Sequence, residues 1–129
     1  MKIVIVDDHA VVRHGLQSAI QSHGYEVVAV AGSINEAKSF MAQTNPDAII
    51  VDINLPDGSG YDLVSWARKV SPTIAIVVLT LNDGADYVRA AKGAGANAFI
   101  VKSAPLSDLL AALDLALSSQ SLFSSKSVS

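Results

Sequence analysis

Acidic, hydroxyl and lysine side chains follow four short apolar segments of this chain. Asp7 and Asp8 follow the first segment, Asp52 ends the second, and Thr80 and Lys102 stand at the ends of two later ones. Neighbouring carboxylates repel one another, which raises the pKa of at least one of them unless a cation lies among them. Mg²⁺ removes that conflict, because it binds a few carboxylates, keeps several waters and leaves room for a phosphate oxygen. These residue types therefore predict a magnesium site that can meet a phosphoryl group.

Asp52 is the best candidate for a nucleophile among these acids. The run 48–51 before it is entirely apolar, and the loop 53–60 after it contains Pro and Gly. A carboxylate can attack a phosphoryl group in line while a metal ion and a lysine neutralise the charge of the transferred group. Thr80 offers a hydroxyl donor and Lys102 a cation, so the pattern is typical of phosphoryl transfer to a carboxylate.

The segments that position these side chains alternate between strand and helix patterns. Short apolar runs rich in β-branched residues predict strands buried on both faces, and helical spacing predicts a helix after each strand. Strict alternation favours a parallel sheet with helices on both faces, whose ligands gather at the carboxyl ends of the strands. We therefore predict a doubly wound five-stranded α/β fold. The predicted strands are 3–6, 26–31, 48–52, 74–79 and 98–101, and the predicted helices are 9–21, 33–43, 61–70, 83–94 and 107–117.

Polar residues at the helix ends predict caps. Asp8 is predicted to cap the first helix, and Ser107 the last. Ser33, with Glu36 three residues later, predicts a capping box for the second helix. Gly24 is suited to the left-handed position after the first helix.

The composition predicts one domain over residues 1–118, followed by a Ser-rich linker over 119–129. Lys and Arg number nine without a run, so no direct nucleic-acid binding is expected of this segment. The first apolar run is too short for a signal peptide or a membrane span, which favours a cytoplasmic location and no membrane partner. The three histidines, His9, His14 and His23, are predicted to be surface or cap residues rather than ligands.

In type and spacing, these acidic, threonine and lysine residues resemble those of the receiver domain of two-component response regulators. Asp7, Asp8, Asp52, Thr80 and Lys102 match the positions of that family's pattern, with 28 residues from the phosphoacceptor position to the threonine and 22 more to the lysine. The likeness extends over nearly all of the chain before the Ser-rich tail. It implies a flavodoxin-like (CheY-like) sheet with strand order 2-1-3-4-5.

A narrower resemblance points to the NarL/FixJ branch of the family. The segment 7–16 begins with Asp-Asp-His and ends with Arg-His-Gly-Leu, which this branch favours. The chain departs from the family after Lys102, where Ser103 stands in place of the usual Pro.

The family resemblance implies roles for the acidic residues. Asp52 would accept a phosphoryl group from the phosphohistidine of a sensor histidine kinase. Asp8 would bind Mg²⁺ directly and Asp7 largely through water. Asp52 and the main-chain carbonyl of Asn54 would complete the protein ligands.

The same resemblance implies a switch. Thr80 would donate a hydrogen bond to the phosphoryl group and Lys102 would pair with another of its oxygens. Phe99 occupies the family's switch aromatic position and would move into the space that Thr80 leaves. The protein would not be a turnover enzyme. It would control transcription through its own C-terminal helix-turn-helix domain, absent from these 129 residues, and a homodimer is expected on activation.

The residues present disfavour three other functions. A phosphatase of the haloacid dehalogenase class uses a similar nucleophile but needs a second acid two residues later, where this chain has Asn54. A receiver that works without phosphorylation usually lacks one of the acids or the lysine, and this chain retains them. Dinucleotide binding is disfavoured, because no Gly-x-Gly-x-x-Gly follows the first strand.

Overall fold

A computed structural model of the chain describes residues 1–81 and 84–118. The predicted strands and helices are present, with ends that differ by no more than two residues. The predicted start of the fourth helix at Asp83 and the predicted linker 119–129 lie outside the described residues. The elements are β1 Lys2–Val6, α1 Ala10–Ser22, β2 Glu26–Ala31, α2 Ile34–Thr44, β3 Ala48–Asp52, β4 Asn54–Leu55, β5 Gly58–Ser59, α3 Gly60–Val70, β6 Ala75–Thr80, α4 Ala85–Ala94, β7 Ala98–Val101 and α5 Leu106–Ser118.

Five strands form the main sheet in the order β2-β1-β3-β6-β7, and every pairing in it is parallel. Since β6 and β7 are the fourth and fifth strands of this sheet along the chain, the order is the predicted 2-1-3-4-5. The fold is therefore the predicted doubly wound, CheY-like one. The two short strands β4 and β5 were not predicted; they pair as an antiparallel hairpin directly after β3.

Two hydrophobic cores cover the two faces of the sheet. The helices α2, α3 and α4 pack on one face, and α1 and α5 pack on the other. The central strand β3 is buried along its whole length, which explains its unbroken apolar run. No helix in the described part of the chain is long and apolar enough to cross a lipid bilayer.

Two predicted caps are wrong. The N-cap of α1 is His9, whose side chain makes no capping hydrogen bond, and Asp8 stands one residue too early to cap the helix. The carboxylate of Asp7 instead accepts a hydrogen bond from the His9 amide at 2.8 Å. Ser107 lies inside α5, because this helix begins at Leu106, directly after Pro105.

The remaining cap predictions are confirmed. The hydroxyl of Ser33 accepts a hydrogen bond from the Glu36 amide at 3.2 Å. The Glu36 carboxylate accepts one from the amide of Gly32 at 2.8 Å, one residue before the N-cap. Gly24 has a φ of 104°, a left-handed conformation that favours glycine after a helix.

A network around Arg68 closes the amino edge of the sheet and was not predicted. The Arg68 guanidinium donates hydrogen bonds to the carbonyls of Pro72, Ile74 and Gly95 and to the side chain of Asn97, at 2.7 to 3.0 Å. Burial lowers the pKa of Arg68. The network joins the end of α3 to the segments that enter β6 and β7.

Candidate functional site

The parallel sheet brings the predicted site residues to one edge. Val6 pairs with Val51, so Asp7 and Asp52 follow neighbouring positions of adjacent strands. Thr80 ends β6, the strand on the other side of β3. The edge that gathers these side chains is the carboxyl edge, where ligands of such folds bind.

Lys102 connects two buried carboxylates of this edge. Its Nζ atom lies 3.0 Å from Oδ2 of Asp52 and 3.2 Å from Oδ2 of Asp7. The Asp7 and Asp52 side chains are 0% and 1% exposed, and that of Lys102 is 14% exposed. Burial alone would lower the pKa of Lys102, but the hydrogen bond and charge of Asp52, followed by the charge of Asp7, outweigh it and raise that pKa. The lysine is therefore charged and pairs with both carboxylates.

The acidic cluster also contains a histidine. Nδ1 of His9 lies 3.1 Å from Oδ1 of Asp7 and 3.1 Å from Oδ1 of Asp8, and 4.0 Å from Oδ2 of Asp52. His9 is the N-cap residue of α1 and its side chain is 61% exposed, which agrees with its prediction as a surface or cap residue. Its proximity to the acids was not predicted. The available signal was its position directly after two acids, at the N-cap of α1.

These four side chains suit a cation. One ligand atom from each of Asp7, Asp8, His9 and Asp52 lies within 4.8 Å of the others. Oδ2 of Asp7 is buried and accepts no hydrogen bond in the described part of the chain, although Lys102 Nζ is close to it. A buried carboxylate oxygen without such a bond is unfavourable, and a hard divalent cation such as Mg²⁺ would satisfy it.

The loop after Asp52 is packed tightly against the end of β3. The amide of Asn54 donates a hydrogen bond to Oδ1 of Asp52 at 3.1 Å. A Cβ atom at Gly60 would lie 2.3 Å from the Asp52 carbonyl oxygen and 2.7 Å from Cα of Ile53. Only glycine permits this approach, which sets the start of α3 directly behind the candidate phosphoacceptor.

The hairpin of this loop is joined to the second helix by Asp57. Its carboxylate accepts hydrogen bonds from the amides of Ile34 and Asn35 at 2.8 and 3.1 Å. These hydrogen bonds, that from Ile34 foremost, lower the pKa of Asp57. Asp57 is thus a structural cap for α2 and is separate from the cluster of acids.

Thr80 and Phe99 lie on the same face of the sheet. Val78 pairs with Phe99 and Thr80 with Val101, and residues two positions apart on a strand share a face. Thr80 is 1% exposed, and Phe99 is half-buried against the core formed with α2, α3 and α4.

The peptide bond between Lys102 and Ser103 is trans, as are the others in the described segments. The main chain on either side of this turn is tied back to the strands. The Lys102 amide donates to the carbonyl of Thr80 at 2.6 Å, and the Ala104 amide to that of Val101 at 2.9 Å. Lys102 therefore leaves β7 from an anchored backbone.

Comparison with protein families agrees with this geometry. The family model "Response regulator receiver domain" matches residues 3–114, nearly the whole described part of the chain. The chain belongs to the response regulator receiver domain family. This receiver domain contains in residues 3–114 all the acids, the threonine and the lysine described above.

Curated relatives of this receiver domain are regulatory proteins. It is 36% identical over 119 residues to the transcriptional regulatory protein PdtaR of Mycobacterium tuberculosis, with 91% of this chain and 57% of that protein covered. It is 38% identical over 115 residues to the oxygen regulatory protein NreC of Staphylococcus haemolyticus, with 88% and 53% covered. The predicted likeness to the NarL/FixJ branch is confirmed by such relatives. The chain spans about half the length of these proteins.

Solved structures of receiver domains superpose closely on this one. A LuxR-family two-component response regulator from Aurantimonas has a TM-score of 0.86 at 31% identity, with 91% of this chain and 84% of that chain covered. A CheY-like receiver domain protein from Methanospirillum hungatei has a TM-score of 0.84 at 27% identity, with 91% and 93% covered. These likenesses confirm the predicted fold.

Proposed function

We propose that this receiver domain is switched by phosphorylation of Asp52. The observation that supports this most directly is the contact of the buried Asp52 carboxylate with Lys102 at 3.0 Å, beside the two acids that follow β1. A buried carboxylate with one oxygen on a lysine and a cation site next to it suits attack on a phosphoryl group.

The reaction is a transfer from nitrogen to oxygen. An oxygen of the Asp52 carboxylate forms a bond to phosphorus while the bond from phosphorus to the imidazole nitrogen of a kinase phosphohistidine breaks. The leaving imidazole retains that bond's electron pair and takes up a proton. Lys102 pairs with one phosphoryl oxygen and the Thr80 hydroxyl donates to another. The product is an aspartyl phosphate, so the domain is an acceptor rather than a turnover enzyme.

Mg²⁺ is the cation proposed for the acidic cluster, and when bound it neutralises charge on the transferred phosphoryl group. Asp8 is the proposed direct ligand because it is the more exposed of the acid pair, at 35%. Asp7 is buried behind it and acts largely through water. Asp52 and the main-chain carbonyl of Asn54 complete the proposed protein ligands.

The proposed switch couples Thr80 to Phe99. Movement of Thr80 toward the phosphoryl group vacates space on the face of the sheet that both residues share, and the ring of Phe99 moves into it. The surface formed by α4 and β7 then changes. A response of this kind requires a free-energy difference of roughly 2–5 kcal/mol between the two states.

The proposed partners follow from the family and the relatives. A sensor histidine kinase supplies the phosphoryl group, and a C-terminal DNA-binding domain in the full-length protein delivers the output to transcription. Phosphorylation promotes a homodimer, and the location is cytoplasmic. Residues 1–129 are proposed to contact protein partners and not DNA, because their nine Lys and Arg form no run.

The test is the intact mass of the protein after incubation with acetyl phosphate and Mg²⁺. The wild type and the control Asp57→Asn are expected to gain the mass of one phosphoryl group, and Asp52→Asn is expected to gain none. Asp57 is the matched control because it lies on the same loop but caps α2. No adduct on a wild type that binds Mg²⁺ would contradict the proposal and favour a receiver that works without phosphorylation.

A further inference from the structure

We infer that His9 is a ligand of the metal site, and that its imidazole broadens the preference of this site from Mg²⁺ toward Mn²⁺, Co²⁺ and Ni²⁺. The inference rests on the proposed metal-dependent function of the acidic cluster. It adds a nitrogen ligand to a site that the acids alone would make entirely of oxygen. In the experiment below, failure of the His9 ligand and failure of the proposed function give different results.

The distances from Nδ1 of His9 to the proposed carboxylate ligands match an octahedral site. With metal–ligand bonds of about 2.1 Å, neighbouring ligands of an octahedron lie about 3.0 Å apart and opposite ligands about 4.2 Å apart. Nδ1 of His9 lies 3.1 Å from Oδ1 of Asp7 and 3.1 Å from Oδ1 of Asp8. It lies 4.0 Å from Oδ2 of Asp52. The separation from Asp8 suits neighbouring ligands, and that from Asp52 suits a pair on opposite sides of the metal. Asp7, which acts through water, is not counted among the direct ligands.

The backbone holds His9 at this position. Its amide donates a hydrogen bond to Oδ1 of Asp7 at 2.8 Å, and Asp7 is fully buried. Its φ of −96° and ψ of 111° place it in extended backbone directly before α1. The ring is 61% exposed, so it covers the acids from the solvent side, where an arriving ion would meet it.

A second observation also indicates a cation among these residues. Oδ2 of Asp7 is buried without a hydrogen bond in the described segments. The histidine does not compensate for it, because its contact is with Oδ1. Nζ of Lys102 lies 3.2 Å from Oδ2 and pairs with it by charge, without a hydrogen bond. The cluster therefore contains a buried acceptor that no hydrogen bond from the described residues satisfies, as well as an imidazole nitrogen that faces the acids.

Ligand chemistry predicts the change in preference. Carboxylate, carbonyl and water ligands suit Mg²⁺, Ca²⁺ and Mn²⁺, whereas imidazole suits transition metals such as Ni²⁺ and Zn²⁺. For a given mixed site, affinity rises from Mn²⁺ through Co²⁺ to Ni²⁺. Loss of the imidazole should thus weaken the transition ions much more than Mg²⁺.

The experiment uses Mn²⁺ as the probe, because pulsed electron paramagnetic resonance detects a nitrogen bound to it. The samples are the wild type, His9→Gln and His14→Gln, each with natural and ¹⁵N-labelled histidine. His14 is the matched control, an exposed histidine of α1 outside the cluster. Calorimetric titrations with Mg²⁺, Mn²⁺ and Ni²⁺ on the same samples give the affinities, and thermal melts check that each variant is folded.

The inference predicts a coordinated nitrogen in the wild type and His14→Gln that changes on ¹⁵N labelling and is missing in His9→Gln. His9→Gln should lose Ni²⁺ affinity by about tenfold or more, with a much smaller change for Mg²⁺. An unchanged nitrogen signal in His9→Gln, or none in the wild type, would overturn it. If the wild type then still accepts a phosphoryl group, the proposed function stands without this ligand. If the wild type binds no divalent ion and gains no phosphoryl group, both are wrong.

Discussion

At the scale of single residues, Lys102 offsets the repulsion between the acidic side chains at the carboxyl edge of the sheet. It follows β7, the edge strand, and reaches across β6 to the carboxylate of Asp7, which follows β1, and to that of Asp52, which ends β3. Both of those carboxylates are almost fully buried. A buried charge that loses its partner is strongly destabilising, so the lysine affects stability as well as chemistry.

Replacement of Lys102 tests this electrostatic role. In EDTA, Lys102→Met should lower the free energy of unfolding by about 1–3 kcal/mol, because Asp7 and Asp52 lose their nearby cation. Excess Mg²⁺ should restore much of that loss, since the ion supplies the missing positive charge. Urea denaturation in the two buffers measures both effects. The exposed Lys69→Met is the control and should change little; an equal loss for Lys102→Met with and without Mg²⁺ would contradict the account.

At the scale of elements, the ends of strands and helices determine the site. The close contact between the start of α3 and the end of β3 depends on Gly60, where a Cβ atom would overlap the main chain of Asp52. The Gly60 amide also donates to the Ile53 carbonyl at 2.7 Å. The position of the candidate phosphoacceptor is thus set by packing of the backbone behind it.

A methyl group at Gly60 should therefore disturb both packing and site. Gly60→Ala is expected to lower the free energy of unfolding by about 1–3 kcal/mol or more, because the overlap is with backbone that cannot rotate away. Gly15→Ala is the control: the space around Gly15 is empty, and alanine in the middle of α1 should stabilise by about 0.5–1 kcal/mol. Thermal and urea denaturation compare the two, and a neutral Gly60→Ala would show that the contact is looser than described.

A group of hydrogen bonds around Asp114 joins α5 to the end of α1 and the start of β2. It lies on the face of the sheet that α1 and α5 cover. The Asp114 carboxylate of α5 accepts hydrogen bonds from the Tyr25 hydroxyl and from Nε2 of His23, at 2.9 Å in the latter case. Burial, followed by the hydrogen bond and charge of Asp114, raises the pKa of Tyr25 to about 12. Hydrogen bonds from Tyr25 and then His23 hold the pKa of Asp114 below its ordinary value.

These pKa shifts define the pH range over which the hydrogen bonds of Asp114 stabilise the fold. The stabilisation from Asp114 is present above its ordinary pKa of 3.8 and is lost as the pH falls through its lowered value. The stabilisation from Tyr25 is present below its ordinary pKa of 10.0 and is lost as the pH rises toward 12. Tyr25→Phe should therefore cost about 0.5–1.5 kcal/mol near neutral pH, and the difference from wild type should shrink in acid and in alkali. Tyr87→Phe on α4 is the control, and a pH-independent difference for Tyr25→Phe would contradict the assignment.

At the scale of the whole molecule, the carboxyl edge and the amino edge of the sheet have different functions. The carboxyl edge gathers acids around one lysine, while the amino edge is closed by the satisfied hydrogen bonds of Arg68.

Arg68→Lys should lower the free energy of unfolding by about 2–4 kcal/mol, because a lysine ammonium cannot reproduce the forked set of guanidinium donors. Phosphoryl acceptance by the folded variant should be unchanged.

The control for this substitution is Arg89→Lys. Arg89 pairs with Asp86 on the surface of α4, and both side chains are largely exposed, so the change should stay within about 0.5 kcal/mol. Denaturation and phosphorylation by acetyl phosphate are measured on both variants below their melting temperatures. A loss of phosphoryl acceptance in folded Arg68→Lys would show that the two edges are coupled.

Much of this molecule was predictable from the sequence because its signals are local. Buried parallel strands have continuous apolar runs, and their polar ends must meet at one edge, so the sequence alone predicts that Asp7, Asp52 and Thr80 lie there. The rest depends on contacts between distant residues. Arg68 bonds to Gly95 and Asn97 across 27 and 29 positions, and no local pattern indicates such a pair. The orientation of the His9 ring depends on a rotamer that residue type alone does not determine.

The most direct test of the central claim locates the phosphoryl group. An aspartyl phosphate is reduced by borohydride to homoserine, which tandem mass spectrometry can assign to one position in the chain. After incubation with acetyl phosphate and Mg²⁺, the account predicts homoserine at position 52 and none when EDTA replaces Mg²⁺. Homoserine at Asp7, Asp8 or Asp57 instead, or at no position in a protein that is folded and binds Mg²⁺, would contradict it.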